Sequence, residues 1–252
     1  VRRIILILMK NTAIIIPTRL GAKRFPNKPL AEINGIPMVL HVLHRAKESK
    51  IKNIFVATPD DKICKIINEN GGTAILTKDN HESGTDRIHE VYLKMLKDKI
   101  DLIINLQGDM PNIKPDSILK LERLMRKNNC NIGTLGASIE KKEEFNDPNV
   151  VKVEVNKALK NDDFLDAQDF FRIKKDSINK NTYHHIGIYA FTSVGLTQYV
   201  KLSRSKLEID RNLEQMRAME NHLTIKVGLS NSTPLSVDTE QDLIKISKEM
   251  RK

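Results

Sequence analysis

The chain has 252 residues, which is enough for one large α/β domain with a full hydrophobic core. Its formal net charge of +10 comes from 42 basic and 32 acidic residues, but the basic residues are scattered, tryptophan is absent and aromatic residues make up 4% of the chain. Composition therefore argues against a nucleic-acid-binding module, and the two cysteines, Cys64 and Cys130, lack the CxxC spacing of a zinc site.

The first ten residues imitate the start of a signal peptide, since Arg2 and Arg3 precede an apolar run. That run is short for such a peptide, and no cleavage site of small residues follows it. A chain that began at Met9 would begin four residues before the first predicted strand, at 13–16. We therefore expect residues 1–8 to be an over-extended start outside the fold. No other segment approaches the roughly 20 apolar residues of a membrane-spanning helix.

Apolar strands alternate with helical patterns over the first half of the chain. Short apolar runs predict buried strands at 13–16, 54–57, 73–76 and 102–106. Helices are predicted to begin near Pro37, after a cap at Asp60, and at Ser83 or Thr85. This alternation predicts a mostly parallel sheet that is covered by helices on both faces.

The pattern changes after about residue 135. Residues 150–155 and 185–191 alternate apolar and polar side chains, which predicts half-exposed strands of antiparallel character. The segment 156–182 is rich in Lys, Asn and Asp and shows weak periodicity. We interpret 140–190 as an insert within a single domain that spans residues 9–252.

The most informative stretch follows the first strand, which Pro17 ends. The loop after it carries four cations within ten residues, at Arg19, Lys23, Arg24 and Lys28. It matches neither the GxxxxGK[ST] pattern of a P-loop nor the GxGxxG of a dinucleotide fold. A basic loop at the carboxyl end of a first strand is where an open α/β sheet binds anionic ligands. Because these cations repel one another, we expect an anion such as a triphosphate among them.

Two carboxylates stand where a metal ion can bind. Asp109 follows a strongly apolar strand, and Asp238 precedes the last helical pattern. Mg²⁺ prefers oxygen ligands and usually takes one or two carboxylates together with substrate phosphates. The alternative for Asp109 is the cap of the next helix, for which Asp116 is also a candidate. The alternative for Asp238 is the cap of the last helix, a position that Thr239, three residues before Asp242, fits as well.

The order of these motifs resembles that of the sugar nucleotidyltransferases, and most closely that of the 3-deoxy-manno-octulosonate (KDO) cytidylyltransferases. The basic loop reads R-x-x-x-x-R-F-P-x-K-P-L, and the later blocks read Q-G-D-M-P at 107–111 and V-D-T-x-x-D-L at 237–243. Further similar blocks are H-E-S-G-T-D-R at 81–87, H-I-G-I-Y at 185–189 and L-E-Q-M-R at 213–217. The resemblance implies a Rossmann-like nucleotide-diphospho-sugar transferase fold, α/β with a mostly parallel sheet and a small antiparallel insert.

The resemblance also implies an activity and a set of site residues. The activity is the activation of KDO with CTP, giving CMP-KDO and pyrophosphate for lipopolysaccharide synthesis, with Mg²⁺ held by Asp109 and Asp238. The implied catalytic residues are Arg19, Lys28 and Asp109. The implied nucleotide contacts are Arg19, Arg24, Lys28, Ser83, Gly84, Thr85, Arg87 and Gln107. The implied sugar contacts are Gln107, Arg172, His185, Tyr189, Glu214 and Gln215.

Three departures from the family pattern leave alternatives open. Met110 and Arg211 replace glutamates that are usual in the family, and the segment 167–172 keeps Arg172 but lacks the serine and the I-P that accompany it. The alternatives are a cytidylyltransferase for sialic acid or an amino variant of KDO, a degenerate CTP-binding relative and, more distantly, a nucleic-acid binder. By resemblance we expect a cytoplasmic homodimer in which the insert forms part of the sugar site and of the subunit contact, with neither nucleic acid nor a membrane as partner.

Overall fold

The computed structural model describes residues 11–21, 25–173 and 180–251, so that the prediction on residues 1–8 lies outside the described residues. The strands are β1 (Thr12–Pro17), β2 (Glu32–Ile33), β3 (Ile36–Pro37), β4 (Asn53–Thr58), β5 (Ala74–Leu76), β6 (Leu102–Asn105), β7 (Ile132–Ala137), β8 (Lys152–Val155), β9 (Phe164–Phe171), β10 (Thr182–Thr192) and β11 (Ile225–Ser230). The helices are α1 (Met38–Glu48), α2 (Asp61–Glu69), α3 (Gly84–Val91), α4 (Pro115–Lys127), α5 (Glu143–Asn146), α6 (Ser193–Tyr199), α7 (Lys206–Arg211), α8 (Met216–Glu220) and α9 (Glu240–Glu249). The strands and helices predicted in the first half of the chain are confirmed.

Within the described ranges, nine strands form one mixed sheet in the order β5-β4-β1-β6-β10-β7-β11-β9-β8. The pairs β5–β4, β4–β1, β1–β6 and β7–β11 are parallel. The long strand β10 is antiparallel to β6, β7 and β8, and β9 is antiparallel to β11 and β8. The antiparallel character predicted for the second half is confirmed, and its strands extend the main sheet.

The central strand β1 is buried on both of its faces. Ala13, Ile14, Ile15 and Ile16 are each 0% exposed. Side chains of α1 and α4 belong to the same apolar cluster as Ile14 and Ile16, whereas those of α3 belong to the cluster of Ala13 and Ile15. Full burial of one isoleucine side chain stabilises a fold by about 1.5–3 kcal/mol. Packing on both faces of β1 therefore fixes the position of its carboxyl end.

The half-exposed strands predicted at 150–155 and 185–191 are wrong in their exposure, since neither segment contains an exposed residue. All four side chains of β8 are buried, including Lys152 and Glu154. The ammonium group of Lys152 donates to the backbone carbonyls of Asp147 at 2.8 Å, Val150 at 2.9 Å and Arg172 at 2.5 Å. Burial lowers the pKa of Lys152. This lysine joins the turn before β8 to the end of β9.

Strand β9 lies in the polar segment where no strand is predicted. Its charges are neutralised by neighbours: Nζ of Lys226, directly opposite Asp166 in the sheet, donates to that carboxylate at 2.7 Å. Arg211 contacts the carboxylate of Asp169 and donates to the carbonyl of Phe170 at 2.7 Å. Opposite charges across strands stabilise a sheet. Arg211, a departure from the family pattern, thus has a structural role here.

Of the helices in the described part of the chain, none is both long enough and apolar enough to cross a bilayer. The interpretation of 140–190 as an insert that supplies a subunit contact stays a prediction.

Candidate active site

A cavity of about 200 Å³ lies at the carboxyl ends of β1 and β6. The parallel pairing of these strands brings the loops that follow them to one edge of the sheet, which is the usual ligand edge of an open α/β sheet. Oδ2 of Asp60 fastens the loop after β1 by accepting from the backbone N–H of Leu20 at 2.9 Å. The predicted nucleotide contacts that line this cavity are Arg19, Lys28, Ser83, Gly84, Arg87 and Gln107. Arg24 lies outside the described residues.

Helix α3 begins at the wall of this cavity. Ser83 is its N-cap, since Oγ of Ser83 accepts from the N–H of Asp86 at 3.1 Å and the Asp86 carboxylate accepts from the N–H of Ser83 at 3.1 Å. A Cβ atom on Gly84 would stand 3.3 Å from Cγ of Pro17 and 3.6 Å from Oε1 of Gln107. Glycine thus allows the helix start to approach both loops closely, and backbone N–H groups at a helix start favour an anion.

Two arginines make the cavity electropositive. Arg87 is 3% exposed and donates to Oγ1 of Thr77 at 2.5 Å and to the carbonyl of Lys78 at 2.9 Å. Burial lowers the pKa of the Arg87 guanidinium, and repulsion from Arg19 lowers it further. An anion bound between the two side chains would relieve this repulsion.

Lys28 lies between the two predicted metal carboxylates. It opens a short 3₁₀ turn, Lys28–Leu30, and its Nζ donates to Oδ2 of Asp109 at 3.0 Å and to Oδ1 of Asp238 at 3.4 Å. Its third contact is the carbonyl of Val237 at 2.8 Å. The backbone N–H of Val237 donates to the carbonyl of Asp109 at 2.9 Å. The fold thus brings two carboxylates from distant parts of the sequence to one cation.

The cap of α9 is Thr239 and not Asp238. Oγ1 of Thr239 accepts from the N–H of Asp242 at 3.2 Å, and the Asp242 carboxylate accepts from the N–H of Thr239 at 2.9 Å. Helix α4 has Lys114 at its N-cap position, without a side-chain cap bond. The capping alternatives for Asp109 and Asp238 are therefore wrong, and both carboxylates contact Lys28.

The carboxylate pair suits a divalent cation. Burial alone would lower the pKa of Lys28, but Asp109 and Asp238 outweigh burial and raise it, so a positive charge already stands between the two carboxylates. Oxygen donors from two carboxylates, next to a cavity for phosphates, match the usual environment of Mg²⁺. Met110, where the family has glutamate, is 3% exposed and packs in the core.

A second, smaller cavity of about 30 Å³ shares Gln107 with the first. Tyr189, Glu214 and Gln215, which are predicted sugar contacts, also line it, as does the predicted nucleotide contact Thr85. The hydroxyl of Tyr189 is buried and has no hydrogen-bond partner within the described ranges. An unpaired buried hydroxyl at a cavity wall suits a ligand that carries hydroxyl groups.

Glu214 is an unusual carboxyl group in this second cavity. Burial raises its pKa, although hydrogen bonds from Thr85 and Ser83 and the charge of Arg217 oppose that effect. The hydroxyl of Tyr199 donates to the backbone carbonyl of Glu214 at 2.8 Å. The carboxyl group is thus held at the boundary between the start of α3 and the second cavity.

Two predicted sugar contacts lie away from both cavities. His185 is buried behind Tyr189, with Nε2 3.0 Å from Oγ1 of Thr134 and its ring packed against Phe170 and Tyr189. Arg172 donates to the carbonyls of Pro148 at 3.0 Å and Asn149 at 3.3 Å. His185 therefore positions Tyr189, and Arg172 secures the turn before β8.

Some residues of the site are absent from the sequence-based predictions. Asn105 and Tyr199 line the second cavity, and Asp60 holds the basic loop. Asn105 could have been predicted as a site residue, because a polar residue at the carboxyl end of an apolar strand lies at the ligand edge of the sheet. No such feature marks Tyr199, since it lies in a short helix far along the chain.

His185 makes stability dependent on pH. Burial lowers the pKa of His185 to about 3, with a smaller contribution from His184. An unfolded histidine has a pKa of about 6.5, so below that pH the unfolded state binds a proton that the folded state does not. The stability that neutral His185 provides is therefore present above pH 6.5 and is lost as the pH falls towards 3.

We expect His185 to contribute a loss of about 2 kcal/mol in the free energy of unfolding between pH 6.5 and 5. Urea unfolding at both pH values measures this loss, which should be smaller in His185→Gln. His222→Asn is the control, because His222 is exposed and asparagine tolerates its positive φ. An equal pH dependence in wild type and His185→Gln would contradict the prediction.

Comparison with known proteins agrees with this geometry. Residues 13–225 match the family model described as cytidylyltransferase. The chain is 42% identical over 234 residues to 3-deoxy-manno-octulosonate cytidylyltransferase of Brucella canis, covering 92% of this chain and 93% of the relative. It is 41% identical over 234 residues to the enzyme of the same name from Brucella anthropi, covering 92% and 94%.

Solved structures confirm the predicted fold. The structure of CMP:2-keto-3-deoxy-manno-octonic acid synthetase complexed with CTP has a TM-score of 0.85 at 35% identity and covers 96% of this chain and 99% of that one. A 4-diphosphocytidyl-2C-methyl-D-erythritol synthase from Anaerococcus prevotii, at 14% identity and a TM-score of 0.65, covers 96% and 99% and shares the fold. With similarity over nearly its whole length and a cationic cavity at the ligand edge of the sheet, the chain belongs to the cytidylyltransferase family.

Proposed function

We propose that this protein transfers CMP from CTP to KDO in a Mg²⁺-dependent reaction that releases pyrophosphate and supplies CMP-KDO for lipopolysaccharide synthesis. The observation that carries the proposal is the meeting of two cavities at Gln107, one cationic and beside a carboxylate pair, the other with the buried Tyr189 hydroxyl and Glu214. The names of the relatives at 42% identity support KDO, and the CTP in the similar solved structure supports the nucleotide.

The proposed chemistry depends on charge neutralisation and positioning. The hydroxyl of the sugar attacks the α-phosphorus of CTP, and pyrophosphate leaves on the opposite side. Transfers of this kind require aligned reactants and stabilised phosphate charge more than covalent help from the protein. Arg19 and Lys28 supply positive charge to the triphosphate, and the start of α3 supplies backbone N–H groups.

Asp109 and Asp238 would hold the Mg²⁺ ion. When bound, the ion would polarise phosphate oxygen and lower the pKa of the attacking hydroxyl. The hydrogen bond from Val237 to Asp109 joins the backbone segments that carry the two carboxylates. Asp109 and Lys28 both line the first cavity, and Lys28 contacts both carboxylates, which supports this assignment.

The sugar would occupy the second cavity and the space next to it. Tyr189, Glu214 and Gln215 offer a hydroxyl, a carboxyl and an amide to the sugar hydroxyls. Gln107 lines both cavities and can contact both substrates. His185 and Arg172 stay predictions as sugar contacts, since in this structure they bind other parts of the protein.

Pyrophosphate release from CTP tests the proposal. We expect release only when KDO and Mg²⁺ are both present, and none after chelation of the metal. Sialic acid and the amino variant of KDO should react at least about tenfold more slowly, which corresponds to about 1.4 kcal/mol of transition-state discrimination. CTP binding without release would favour a degenerate relative, and faster reaction with another acid sugar would assign that sugar instead.

Glu214 is expected to link sugar binding to stability. Burial raises the pKa of Glu214 in the folded state, so the folded protein binds this proton more tightly than the unfolded chain does. The free energy of unfolding therefore falls as the pH rises through that pKa and Glu214 ionises. Glu214→Gln should therefore be more stable than wild type at pH 8. The same change should raise the KM for the sugar about tenfold or more, because an amide NH₂ group replaces one oxygen that can accept from a sugar hydroxyl.

Thermal unfolding at pH 8 and KM values for the sugar and for CTP measure both effects. Glu69→Gln is the control, since Glu69 is 60% exposed in a surface pair with Lys65. A variant with lower stability and an unchanged KM for the sugar would contradict both parts of the prediction.

The homodimer and the cytoplasmic location stay predictions. Light scattering of the purified protein at micromolar concentration tests the first, and fractionation of cells that make the protein tests the second.

A further inference from the structure

The ammonium group of Lys28 occupies the place between the carboxylates of Asp109 and Asp238 that a metal ion would need. We propose that Lys28 is an internal cation that keeps divalent metal out of this carboxylate pair until a nucleotide enters, so that metal binding depends on CTP. The inference rests on the proposed function, because it concerns the same carboxylates and the same nucleotide.

The contacts of Lys28 account for all three of its N–H donors. They are Oδ2 of Asp109 at 3.0 Å, the carbonyl of Val237 at 2.8 Å and Oδ1 of Asp238 at 3.4 Å. The side chain of Lys28 is 15% exposed and those of the aspartates are 26% and 32% exposed, so solvent and salt screen these interactions only in part. A metal ion and an ammonium group at this spacing repel each other and compete for the same oxygens.

The cavity offers Lys28 another partner when nucleotide is bound. Lys28 lines the same cavity as Arg19 and Arg87, where the triphosphate is expected. A phosphate oxygen can accept from the ammonium group in place of a carboxylate, so the lysine exchanges one anion for another and is not left unpaired. The carboxylates then take up the metal. Because the coupling is reciprocal, the metal also strengthens CTP binding.

The backbone that carries the carboxylate pair is held in place without Lys28. The N–H of Val237 donates to the carbonyl of Asp109 at 2.9 Å, and the side chain of Val237 is 0% exposed in a cluster with Ile33, Met38 and Ile246. Replacement of Lys28 by a residue without charge should therefore leave the backbone of both aspartates in place, with their carboxylates free to take up a cation.

Mn²⁺ alone is the probe, with free ion measured by electron paramagnetic resonance in the absence of sugar and turnover. Without CTP, we expect Lys28→Met to bind Mn²⁺ at least about tenfold more tightly than wild type, because the competing cation is gone. Lys28→Arg, which keeps the charge, should bind as weakly as wild type. Asp238→Asn added to Lys28→Met should abolish the increase. Lys114→Met is the control, since it removes a lysine that lines a different cavity.

Addition of CTP should tighten Mn²⁺ binding in wild type by a larger factor than in Lys28→Met. The proposal is overturned if folded Lys28→Met binds Mn²⁺ no more tightly than wild type without CTP, or if Lys28→Arg binds as tightly as Lys28→Met. Failure of the proposed function would appear separately, as absence of pyrophosphate release with KDO, because the metal titration contains no sugar.

Discussion

Asp109→Asn is expected to lower kcat by about a thousandfold or more. A bound metal ion stabilises the transition state by several kcal/mol, and each 1.36 kcal/mol of lost stabilisation lowers the rate about tenfold. Asparagine has nearly the same shape but cannot supply the negative charge that the proposed Mg²⁺ site requires. The fold should persist, since the backbone bond between Asp109 and Val237 does not involve the replaced side chain. Release of pyrophosphate at saturating CTP and KDO, over a range of Mg²⁺ concentrations, measures the effect.

Two further variants make this prediction specific. Asp238→Asn should show a loss of similar size, since Asp238 contacts the same ammonium group. Asp116→Asn should keep wild-type turnover, because Asp116 is exposed in the first turn of α4 and lies outside the cavity. Turnover of Asp109→Asn within a factor of three of wild type would mean that this carboxylate holds no catalytic metal.

Lys152→Met is expected to lower the free energy of unfolding by about 3 kcal/mol, because three backbone carbonyls lose their donor and each unsatisfied buried group costs about 1–3 kcal/mol. The removal of a buried charge offsets part of that cost. The acceptors belong to Asp147, Val150 and Arg172. Urea unfolding at pH 7 measures the loss.

The control is Lys157→Met, in which an exposed lysine five residues further along the chain is replaced in the same way. It should change stability by less than about 0.5 kcal/mol, as surface substitutions usually do. Equal stability of the two variants would show that the three hydrogen bonds of Lys152 contribute nothing. A larger loss in Lys152→Met together with a raised KM for the sugar would indicate that the β8–β9 pair also shapes the substrate site.

The first half of the fold could be predicted because residue type and burial agree there. The run at 13–16 is apolar throughout, and both of its faces are covered. A parallel sheet then brings the loops after β1 and β6 together, so Arg19 and Gln107 could be placed at one edge from the pattern alone.

The second half could be predicted less well, because its polar residues depend on partners that composition does not reveal. Lys152 looks like the exposed side of an alternating strand, yet three carbonyls surround its ammonium group. Strand β9 looks like a loop, yet Lys226 and Arg211 neutralise its aspartates. A residue type shows what a side chain can bind, and only the fold determines what it does bind.

The same reasoning applies to the candidate metal site. Asp109 and Asp238 could be paired only through a resemblance in motif order, since nothing local to either residue points to the other. The structure adds the connection, which is a backbone bond from Val237 to Asp109 and the ammonium group of Lys28, which contacts both carboxylates. Motif order could not predict that Lys28 would touch both carboxylates.

The hydrogen bond between Val237 and Asp109 has a consequence for synthesis of the protein. A ribosome makes every residue that lines the first cavity before it reaches Asp238, so a chain that stops early carries only one of the two carboxylates. Under the proposed function, the second metal carboxylate is therefore made just before the segment that forms α9, and the hydrogen bond from Val237 brings its backbone beside Asp109.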